Sequence, residues 1–448
     1  MIGTKLEEVL SAKADFKIRR EPFGGILFYR PRNRLIFLNE TSFVIASKVF
    51  GPCDMSFGVE AVSEELNLTH TIAEEYLSDF LSQLEQVIKP GFEHDYEYFI
   101  IPEIASRPPS LRYLSSPVYF SWEVNDKCNY RCIYCSAEAT YLKDSISYST
   151  LTKEEAMDVA RRAVNAGIMS VFFTGGEPLL AEYLFEVVSY LLRNGINVDI
   201  ATNGALIESR IENLLAVDES LRPYLNLQVK LDTVDGENYA KLMGFPDPGL
   251  DSVLRGIDLL DENGFGFTIK SAITPETVRD VPKIADTMLS KANLMAINFD
   301  TVFPIGRGNN LMGSPWMAWT TDRKKEMLTV ISEQVRKAPD KVVYDNVLDE
   351  WVPLNKSELG NPVYDCKAAR MFLRLKSNGQ LAPCNSTRDT EVGLLGSQSI
   401  QEAWENSEGL KKIRKNGIWC PLRRGIPKDL EEIKEFAVKL KLLTLTKK

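Results

Sequence analysis

Three of the chain's seven cysteines stand within eight residues, in the stretch CNYRCIYC. Cys128, Cys132 and Cys135 are separated by three and by two residues and follow an apolar run. Three thiolates can bind three irons of a cubane iron–sulfur cluster and leave the fourth iron without a protein ligand. The alternatives are a zinc knuckle, which needs a fourth ligand, and three unrelated buried thiols. The chain's two histidines, His70 and His94, lie in other segments.

The elements around this stretch predict a parallel sheet. From residue 118 to about residue 340, runs rich in Val, Ile and Phe alternate with helical stretches, as in βα units. The predicted strands cover residues 118–124, 170–176, 197–204, 225–232, 267–274 and 295–302. Six units favour a partial barrel over a complete eight-unit barrel. The cysteines follow the first strand, at the carboxyl end where parallel α/β folds carry their sites.

Composition limits the class of protein and its surroundings. The 448 residues are 44% apolar, enough for about three globular domains. No apolar run approaches the ~20 residues that span a membrane, and the first residues lack the apolar core of a secretion signal. We therefore expect a cytoplasmic protein without a membrane partner, whose reduced cysteines serve as metal ligands before disulfides. The net charge of −9 disfavours nucleic acid as the main partner.

The cysteine spacing, C-x3-C-x2-C after the first barrel strand, resembles that of the radical SAM enzymes. Tyr134 stands before the last cysteine, as is common in that family. The resemblance implies that the open iron of a [4Fe–4S] cluster binds the amino and carboxylate groups of S-adenosylmethionine. Reductive cleavage then gives a 5′-deoxyadenosyl radical that takes hydrogen from the substrate. An external electron donor of the flavodoxin or ferredoxin type is implied as well.

The second predicted strand ends in FFTGGEP, which contains Gly175, Gly176 and Glu177. Paired glycines let a backbone approach a ligand closely, and the proline suits the first turn of a helix. Glu177 could instead only cap that helix. In this position the segment resembles the part of radical SAM enzymes that receives the methionine amino group.

The third and fourth strands carry further candidates for cofactor contacts. Thr202 and Asn203, in ATNG, resemble the family's third-strand end and would line the cofactor pocket. Close relatives usually read Ser-x-Asp-Gly at the fourth strand, with an arginine eleven residues after the serine; here Lys230 and Lys241 occupy these positions. An ammonium can neutralise the methionine carboxylate but cannot bind it bidentately. The alternative for Lys230 is an ion pair with Asp232.

The last block, residues 341–448, contains three more cysteines. Cys366, Gly379 and Cys384 fit C-x(9–15)-G-x4-C, which resembles the opening of the SPASM and twitch auxiliary-cluster domains. The cysteine-dense run that completes a SPASM domain is missing, and only Cys420 follows. The resemblance implies a twitch-like domain in which these three cysteines bind one auxiliary iron–sulfur cluster. Alternatively, Cys420 is a free thiol that donates hydrogen to a substrate radical.

The same block has local patterns of its own. Residues 371–384 predict a hairpin that turns at Asn-Gly. Residues 399–415 and 428–443 each predict one helix.

The first block, residues 1–90, predicts a small winged helix. GGILFYR and RLIFLN form a hairpin, three helices follow, and residues 91–117 form a linker. The block resembles the PqqD-like domains that bind a leader peptide as an added strand, here along RLIFLN. The alternatives are DNA binding and packing alone. The third helix has four acidic and no basic residues, which disfavours phosphate contacts.

Together these patterns predict an α/β protein. Its partial (β/α)6 radical SAM barrel over residues 118–340 lies between a winged-helix-like domain and a twitch-like domain with a C-terminal helix. The function predicted by the resemblance is modification of a ribosomally made precursor peptide by a thioether or carbon–carbon crosslink or by epimerisation. The rival functions are a radical SAM dehydrogenase or mutase acting on a small molecule, and a DNA-binding iron–sulfur sensor.

Overall fold

A computed structural model describes residues 13–50, 59–88, 99–100, 114–144, 151–245, 249–344, 347, 367–387, 389–416 and 428–442. Its strands are β1 Phe16–Glu21, β2 Gly24–Tyr29, β3 Arg34–Leu38, β4 Phe99–Ile100, β5 Tyr119–Glu123, β6 Lys127–Cys128, β7 Thr140–Tyr141, β8 Ser170–Thr174, β9 Asn197–Thr202, β10 Leu225–Lys230, β11 Phe267–Ile273, β12 Leu294–Thr301, β13 Val342–Val343, β14 Phe372–Leu375, β15 Gln380–Ala382 and β16 Gly393–Leu394. Its α-helices are α1 Glu40–Phe50, α2 Val59–Leu66, α3 His70–Ile88, α4 Lys153–Asn165, α5 Leu184–Arg193, α6 Ile207–Leu215, α7 Gly236–Met243, α8 Leu250–Glu262, α9 Val281–Met288, α10 Thr321–Lys337, α11 Ile400–Asn406, α12 Glu408–Asn416 and α13 Leu430–Lys439. None of these described helices has the length and apolarity required to cross a membrane.

The largest element is a ten-stranded sheet with the order β13-β12-β11-β10-β9-β8-β5-β14-β15-β16. All neighbouring strands from β5 to β13 are parallel. Helices α4 to α10 make the crossovers between these strands, as the alternating sequence pattern predicts. The predicted α/β class with a partial barrel is confirmed.

The barrel strands have two different faces, because successive side chains of a strand point to opposite sides. In β11, Phe267, Ile269 and Ile273 are fully buried, whereas Thr268 and Lys270 between them are partly exposed. We call the face that carries the alternate, polar set the lumen face. Strand register places on it Glu123, Thr174, Ala201, Lys230, Lys270, Asn298, Asp300 and Arg374.

The C-terminal hairpin continues the barrel sheet. Strand β14 pairs in parallel with β5, and β15 returns antiparallel to it, as the Asn-Gly turn predicts. The predicted boundary near residue 341 therefore runs between two parts of one sheet. The prediction of a single helix over residues 399–415 is wrong: α11 ends at Asn406 and α12 begins at Glu408. The cause is Ser407, whose backbone is extended and whose hydroxyl caps α12 by accepting from the Leu410 N–H at 3.1 Å.

The N-terminal unit consists of a small sheet covered by α1, α2 and α3. Its strand order is β1-β2-β3-β4, so the predicted hairpin of β2 and β3 is present. Strand β1 was not predicted from the sequence, because FKIRRE is a charged segment without the pattern of a strand. Strand β4 comes from the predicted linker and pairs in parallel with Ile36 and Phe37 of β3.

The N-terminal unit contacts the barrel at the amino ends of its strands. The Arg19 guanidinium donates to the carbonyls of Pro117 and Gly167, both at 2.9 Å, and these residues precede β5 and β8. Arg30 Nε donates to Asn197 Oδ1, at the first residue of β9, at 3.1 Å. The cysteine stretch follows the carboxyl end of β5, so the N-terminal unit lies at the opposite end of the barrel.

Candidate active site

The thiols lie on a loop over the carboxyl ends of the barrel strands, which we call the cysteine loop (residues 125–139). Cys128 is 9% exposed, and Cys132 and Cys135 are half-buried; all three are free thiols. The backbone N–H of Tyr130 points at Cys128 Sγ at 3.3 Å. The Cys132 Sγ lies 3.3 Å from the sulfur of Met243, at the end of α7. Local turns and α7 together fix the positions of the sulfur atoms.

The thiols fit a positively charged metal centre. Burial raises the pKa of Cys132 to about 12, although the Lys230 ammonium opposes this, and burial raises the pKa of Cys128 well above its ordinary value. Buried thiols ionise when a metal replaces the proton. Within the described part of the chain, no three His, Cys, Asp or Glu side chains converge on a single ion. A cubane does not need such convergence, because each thiolate binds a separate iron.

The two glycines of the GGEP segment are required by the cysteine loop itself. Gly175 has a φ of +137°, and a Cβ there would lie 2.3 Å from the Asn125 carbonyl oxygen. At Gly176 a Cβ would lie 1.7 Å from the carbonyl oxygen of Lys127. The Glu177 N–H donates to the same oxygen at 2.6 Å. The sequence predicted a close approach to a ligand; in the structure the two glycines approach the backbone of the cysteine loop instead.

Glu177 joins the ends of β8 and β9. Its carboxylate is 1% exposed and accepts from the backbone N–H groups of Leu179 at 3.1 Å and Asn203 at 2.8 Å, and from the Thr202 hydroxyl at 2.7 Å. Burial raises the pKa of Glu177 to about 7, against these hydrogen bonds. The Asn203 amide donates to Asn129 Oδ1 at 2.7 Å. Glu177 thus has the capping role that was expected as the alternative, and it brings Thr202 and Asn203 to the cysteine loop.

The two predicted lysines lie in different surroundings. Lys230 Nζ lies 3.7 Å from Asp232 Oδ2 and 4.1 Å from the ring centroid of Tyr134. The Tyr134 hydroxyl hydrogen-bonds the same Asp232 carboxylate, so these three residues form one cluster beneath the loop. The ion pair expected as the alternative for Lys230 is therefore present. Lys241 is half-exposed and pairs with Glu237 at 2.6 Å on the outer side of α7, so the structure does not bring Lys241 to the thiols.

Arg307 is a site residue that sequence reasoning missed. Its guanidinium donates to the carbonyls of Cys132 at 3.0 Å and Ala139 at 2.9 Å, and its backbone N–H donates to the Cys135 carbonyl at 3.0 Å. Gly306 has a φ of +56°, and a Cβ there would lie 2.7 Å from the Cys135 oxygen. The available signal was IGRG, an arginine between two glycines shortly after the sixth barrel strand.

Only one of the predicted auxiliary cysteines lies within the described residues. Cys384 follows β15, is half-buried, and its sulfur lies 3.0 Å from the Thr387 hydroxyl. Cys366 and Cys420 lie outside the described residues. The auxiliary cluster and the hydrogen-donor role of Cys420 stay predictions.

Residues 122–288 match the model of the Radical SAM superfamily. The matched range begins in β5, ends with α9 and includes the cysteine loop, the GGEP segment and Lys230. The chain therefore carries a radical SAM domain, and the protein is an enzyme.

Curated relatives include an AdoMet-dependent heme synthase from Methanosarcina barkeri. It is 24% identical over 308 residues, which are 67% of this chain and 85% of the relative. A probable GTP 3',8-cyclase from Pyrobaculum aerophilum is 26% identical over 268 residues, which are 58% of this chain and 81% of the relative. Both names denote enzymes that act on small molecules.

Among solved structures, SuiB from Streptococcus suis has a similar fold over nearly the whole chain. The structure of SuiB bound to S-adenosylmethionine has a TM-score of 0.61 at 17% identity and covers 91% of this chain and 92% of SuiB. The structure of SuiB bound to its precursor peptide SuiA has a TM-score of 0.62 at 17% identity, with coverage of 90% and 89%. At this identity the similarity concerns the fold.

Proposed function

We propose that this enzyme modifies a ribosomally made precursor peptide by radical chemistry. The observation that carries the proposal is the similarity in fold to SuiB, which extends beyond the radical SAM domain to nine-tenths of the chain. SuiB has been solved with a precursor peptide bound. The relatives whose names denote enzymes acting on small molecules match less of this chain: 67% for the heme synthase and 58% for the probable GTP 3',8-cyclase.

The cysteine loop would hold the cofactors that a radical SAM domain implies. Cys128, Cys132 and Cys135 would bind a [4Fe–4S] cluster whose open iron takes S-adenosylmethionine. When bound and reduced, this cofactor supplies the 5′-deoxyadenosyl radical that takes hydrogen from the substrate. The chain's own contribution is to fix the loop through the GGEP segment and Arg307.

The charges of the lumen face support a peptide over the small-molecule alternative. Three cations there each pair with a carboxylate: Lys230 with Asp232, Lys270 with Asp300 and Arg374 with Glu123. A nucleoside triphosphate or a porphyrin with several carboxylates needs cations that are not already neutralised. The uncharged backbone of a peptide does not need them.

The N-terminal unit would hold the leader of the precursor by β-augmentation, in the manner of PqqD-like domains. The proposed site is the outer edge of β3, and the acidic character of α3 suits a leader with basic residues. Strand β4 already pairs with Ile36 and Phe37 of that edge. A leader strand would therefore displace β4 or use the remaining length of β3.

The C-terminal block would carry one auxiliary cluster bound by Cys366, Cys384 and Cys420. Its hairpin continues the barrel sheet next to β5, the strand that leads into the cysteine loop. A cluster there could accept an electron from the substrate radical or bind the substrate. If Cys420 is the hydrogen donor instead, the reaction is epimerisation.

The proposal is tested by anaerobic co-expression with a short peptide encoded beside this gene. We expect a defined mass change in the peptide, and none when Cys128, Cys132 and Cys135 are all replaced by alanine. Cofactor cleavage that is triggered by a small molecule, with every such peptide unchanged, would favour the dehydrogenase or mutase alternative. The DNA-binding sensor is disfavoured, since the protein is an enzyme.

A further inference from the structure

A polar cluster on the lumen face, formed by Lys270, Asn298 and Asp300, has no part in the site described so far. Lys270 of β11 lies opposite Asn298 of β12, and Asp300 follows two residues later on the same face. In the other direction Lys270 lies opposite Lys230 of β10. The cluster therefore lies in the row of side chains just below the cysteine loop.

Contacts connect the cluster to the loop. The backbone N–H of Ala272, opposite Asp300, donates to Asp232 Oδ1 at 2.7 Å. Asp232 in turn hydrogen-bonds the Tyr134 hydroxyl. A substrate bound under the cysteine loop would therefore lie next to Lys270 and Asp300.

The hydrogen-bonding capacity of the cluster is incomplete. Lys270 Nζ forms an ion pair with Asp300 Oδ2, and Asp300 is only 5% exposed. Its other oxygen, Oδ1, and the side-chain oxygen of Asn298 are buried, and neither has a hydrogen-bond partner in the described part of the chain. A buried acceptor without a donor destabilises the site, so a ligand that donates to it is favoured. The side chain of Lys270 is 34% exposed, so its ammonium also remains accessible from the lumen.

The charges of this cluster select the class of ligand. Lys270 and Asp300 neutralise each other, so an anion would be repelled by the carboxylate and a cation by the ammonium. Asp300 Oδ1 and Asn298 Oδ1 can each accept a hydrogen bond, and the Lys270 ammonium beside them can donate one. This arrangement suits an uncharged group that has both an N–H donor and a C=O acceptor. A carboxamide, such as a peptide bond, is that group.

We propose that Lys270, Asn298 and Asp300 form a substrate subsite that binds a backbone amide of the peptide near the reacting residue. This inference rests on the proposed function, because it takes the substrate to be a peptide. The amide N–H is donated to Asp300 Oδ1 or Asn298 Oδ1, and its carbonyl accepts from Lys270. The subsite positions the substrate hydrogen for the radical.

The test uses the anaerobically reconstituted full chain and the precursor peptide encoded beside the gene. The variants are Lys270→Met and Asp300→Asn, and the control is Lys337→Met, which removes an exposed ion pair with Asp286 on the outside of the barrel. The readout is the amount of modified peptide formed per 5′-deoxyadenosine. We expect both lumen variants to lower this ratio about tenfold or more, because misplaced substrate reacts slowly. Iron content should stay within about twofold of the wild type in both lumen variants, and the ratio itself should stay within about twofold in Lys337→Met.

A second measurement changes the peptide substrate. A precursor with an ester in place of a peptide bond lacks the N–H of that bond, so one ester near the reacting residue should lower the ratio for the wild-type enzyme. The same ester should cause a smaller fold loss in Asp300→Asn than in the wild type. If the wild type modifies the peptide and neither the variants nor the esters change the ratio, the subsite is wrong while the proposed function stands. If the wild type cleaves the cofactor and modifies no peptide, both fail.

Discussion

At the residue scale, Arg307 is a side chain that fixes the geometry of the cysteine loop. Replacing it with alanine removes two hydrogen bonds to loop carbonyls, at Cys132 and Ala139. Loss of a partner that orients metal ligands typically lowers metal affinity 10–100-fold. We expect Arg307→Ala to retain less iron at the loop and to lose the change that S-adenosylmethionine causes in the electron paramagnetic resonance spectrum of the reduced cluster.

The control for this prediction is Arg222→Ala. Arg222 also donates to two backbone carbonyls, those of Leu215 and Val217, and its guanidinium lies over the ring of Phe265. Arg222→Ala should destabilise the fold without changing the electron paramagnetic resonance spectrum. Arg307→Lys should show part of the spectral change that S-adenosylmethionine causes in the wild type. Full iron content and an unchanged spectrum in Arg307→Ala would show that the loop does not need this residue.

Asp199, at the lower end of the lumen face, gives a prediction about pH. Burial raises its pKa to about 6, against a hydrogen bond from Asn226. A carboxyl group with a raised pKa in the folded state stabilises the fold most at low pH, and this contribution is lost as the pH rises through 6. Asp199→Asn should therefore melt at nearly the wild-type temperature at pH 4 and roughly 2–4 °C higher at pH 8. If the melting temperatures of Asp199→Asn and the wild type differed by the same amount at pH 4 and at pH 8, the raised pKa of Asp199 would be wrong.

The sequence located the thiols and the GGEP segment, because their signals are local in the chain. It could not locate their partners. Arg307 reaches the loop across 175 positions, and the Tyr134–Asp232 bond spans 98. Such contacts depend on where the fourth and sixth strands lie in the sheet relative to the first, which spacing within a segment does not encode. For the same reason Lys241 matched a pattern by its position and yet lies on the outer side of α7.

At the scale of elements, the six barrel strands were predictable from their apolar runs and the helices between them. The position of β14 was not, since it pairs with β5 from about 250 residues away. Its hairpin was predicted as part of a separate domain, but it extends the barrel sheet. The break between α11 and α12 was not predicted, because the apolar periodicity of the sequence alone allows Ser407 and Glu408 to lie inside one helix.

The junction of β5 and β14 contains a buried ion pair, which gives a prediction about stability. Glu123 and Arg374 are 1% and 6% exposed, and the Glu123 carboxylate also accepts from the Ser377 N–H. Removing one partner leaves a buried charge without compensation, at a cost of roughly 3–5 kcal/mol. Glu123→Ala should therefore lower the urea midpoint of unfolding substantially. The control Glu237→Ala breaks an exposed pair and should change the midpoint little; similar midpoints for the two variants would show that the junction does not support the fold.

At the scale of the whole molecule, the N-terminal unit and the cysteine loop lie at opposite ends of the barrel. Strand β9 has six residues, so the two ends are about 20 Å apart along the strands. A leader held on the N-terminal unit must therefore be joined to the reacting residue by at least roughly six extended residues. We expect a precursor with a shorter spacer to bind the enzyme normally and to remain unmodified.

Insertions of Gly-Ser in this spacer should be tolerated, because a longer flexible spacer costs little entropy. Modification by full-length enzyme should thus show a lower limit in spacer length and no sharp upper limit. Efficient modification of a precursor whose leader directly adjoins the reacting residue would place the leader elsewhere on the enzyme.

We propose that a radical generated at the cysteine loop takes hydrogen from a peptide. The most direct measurement is deuterium transfer from a perdeuterated precursor peptide into 5′-deoxyadenosine, followed by mass spectrometry on the anaerobic, reduced full-length enzyme. We expect 5′-deoxyadenosine that is one mass unit heavier, in an amount that matches the modified peptide. Unlabelled 5′-deoxyadenosine formed in the presence of the deuterated peptide, with the peptide unchanged, would contradict it.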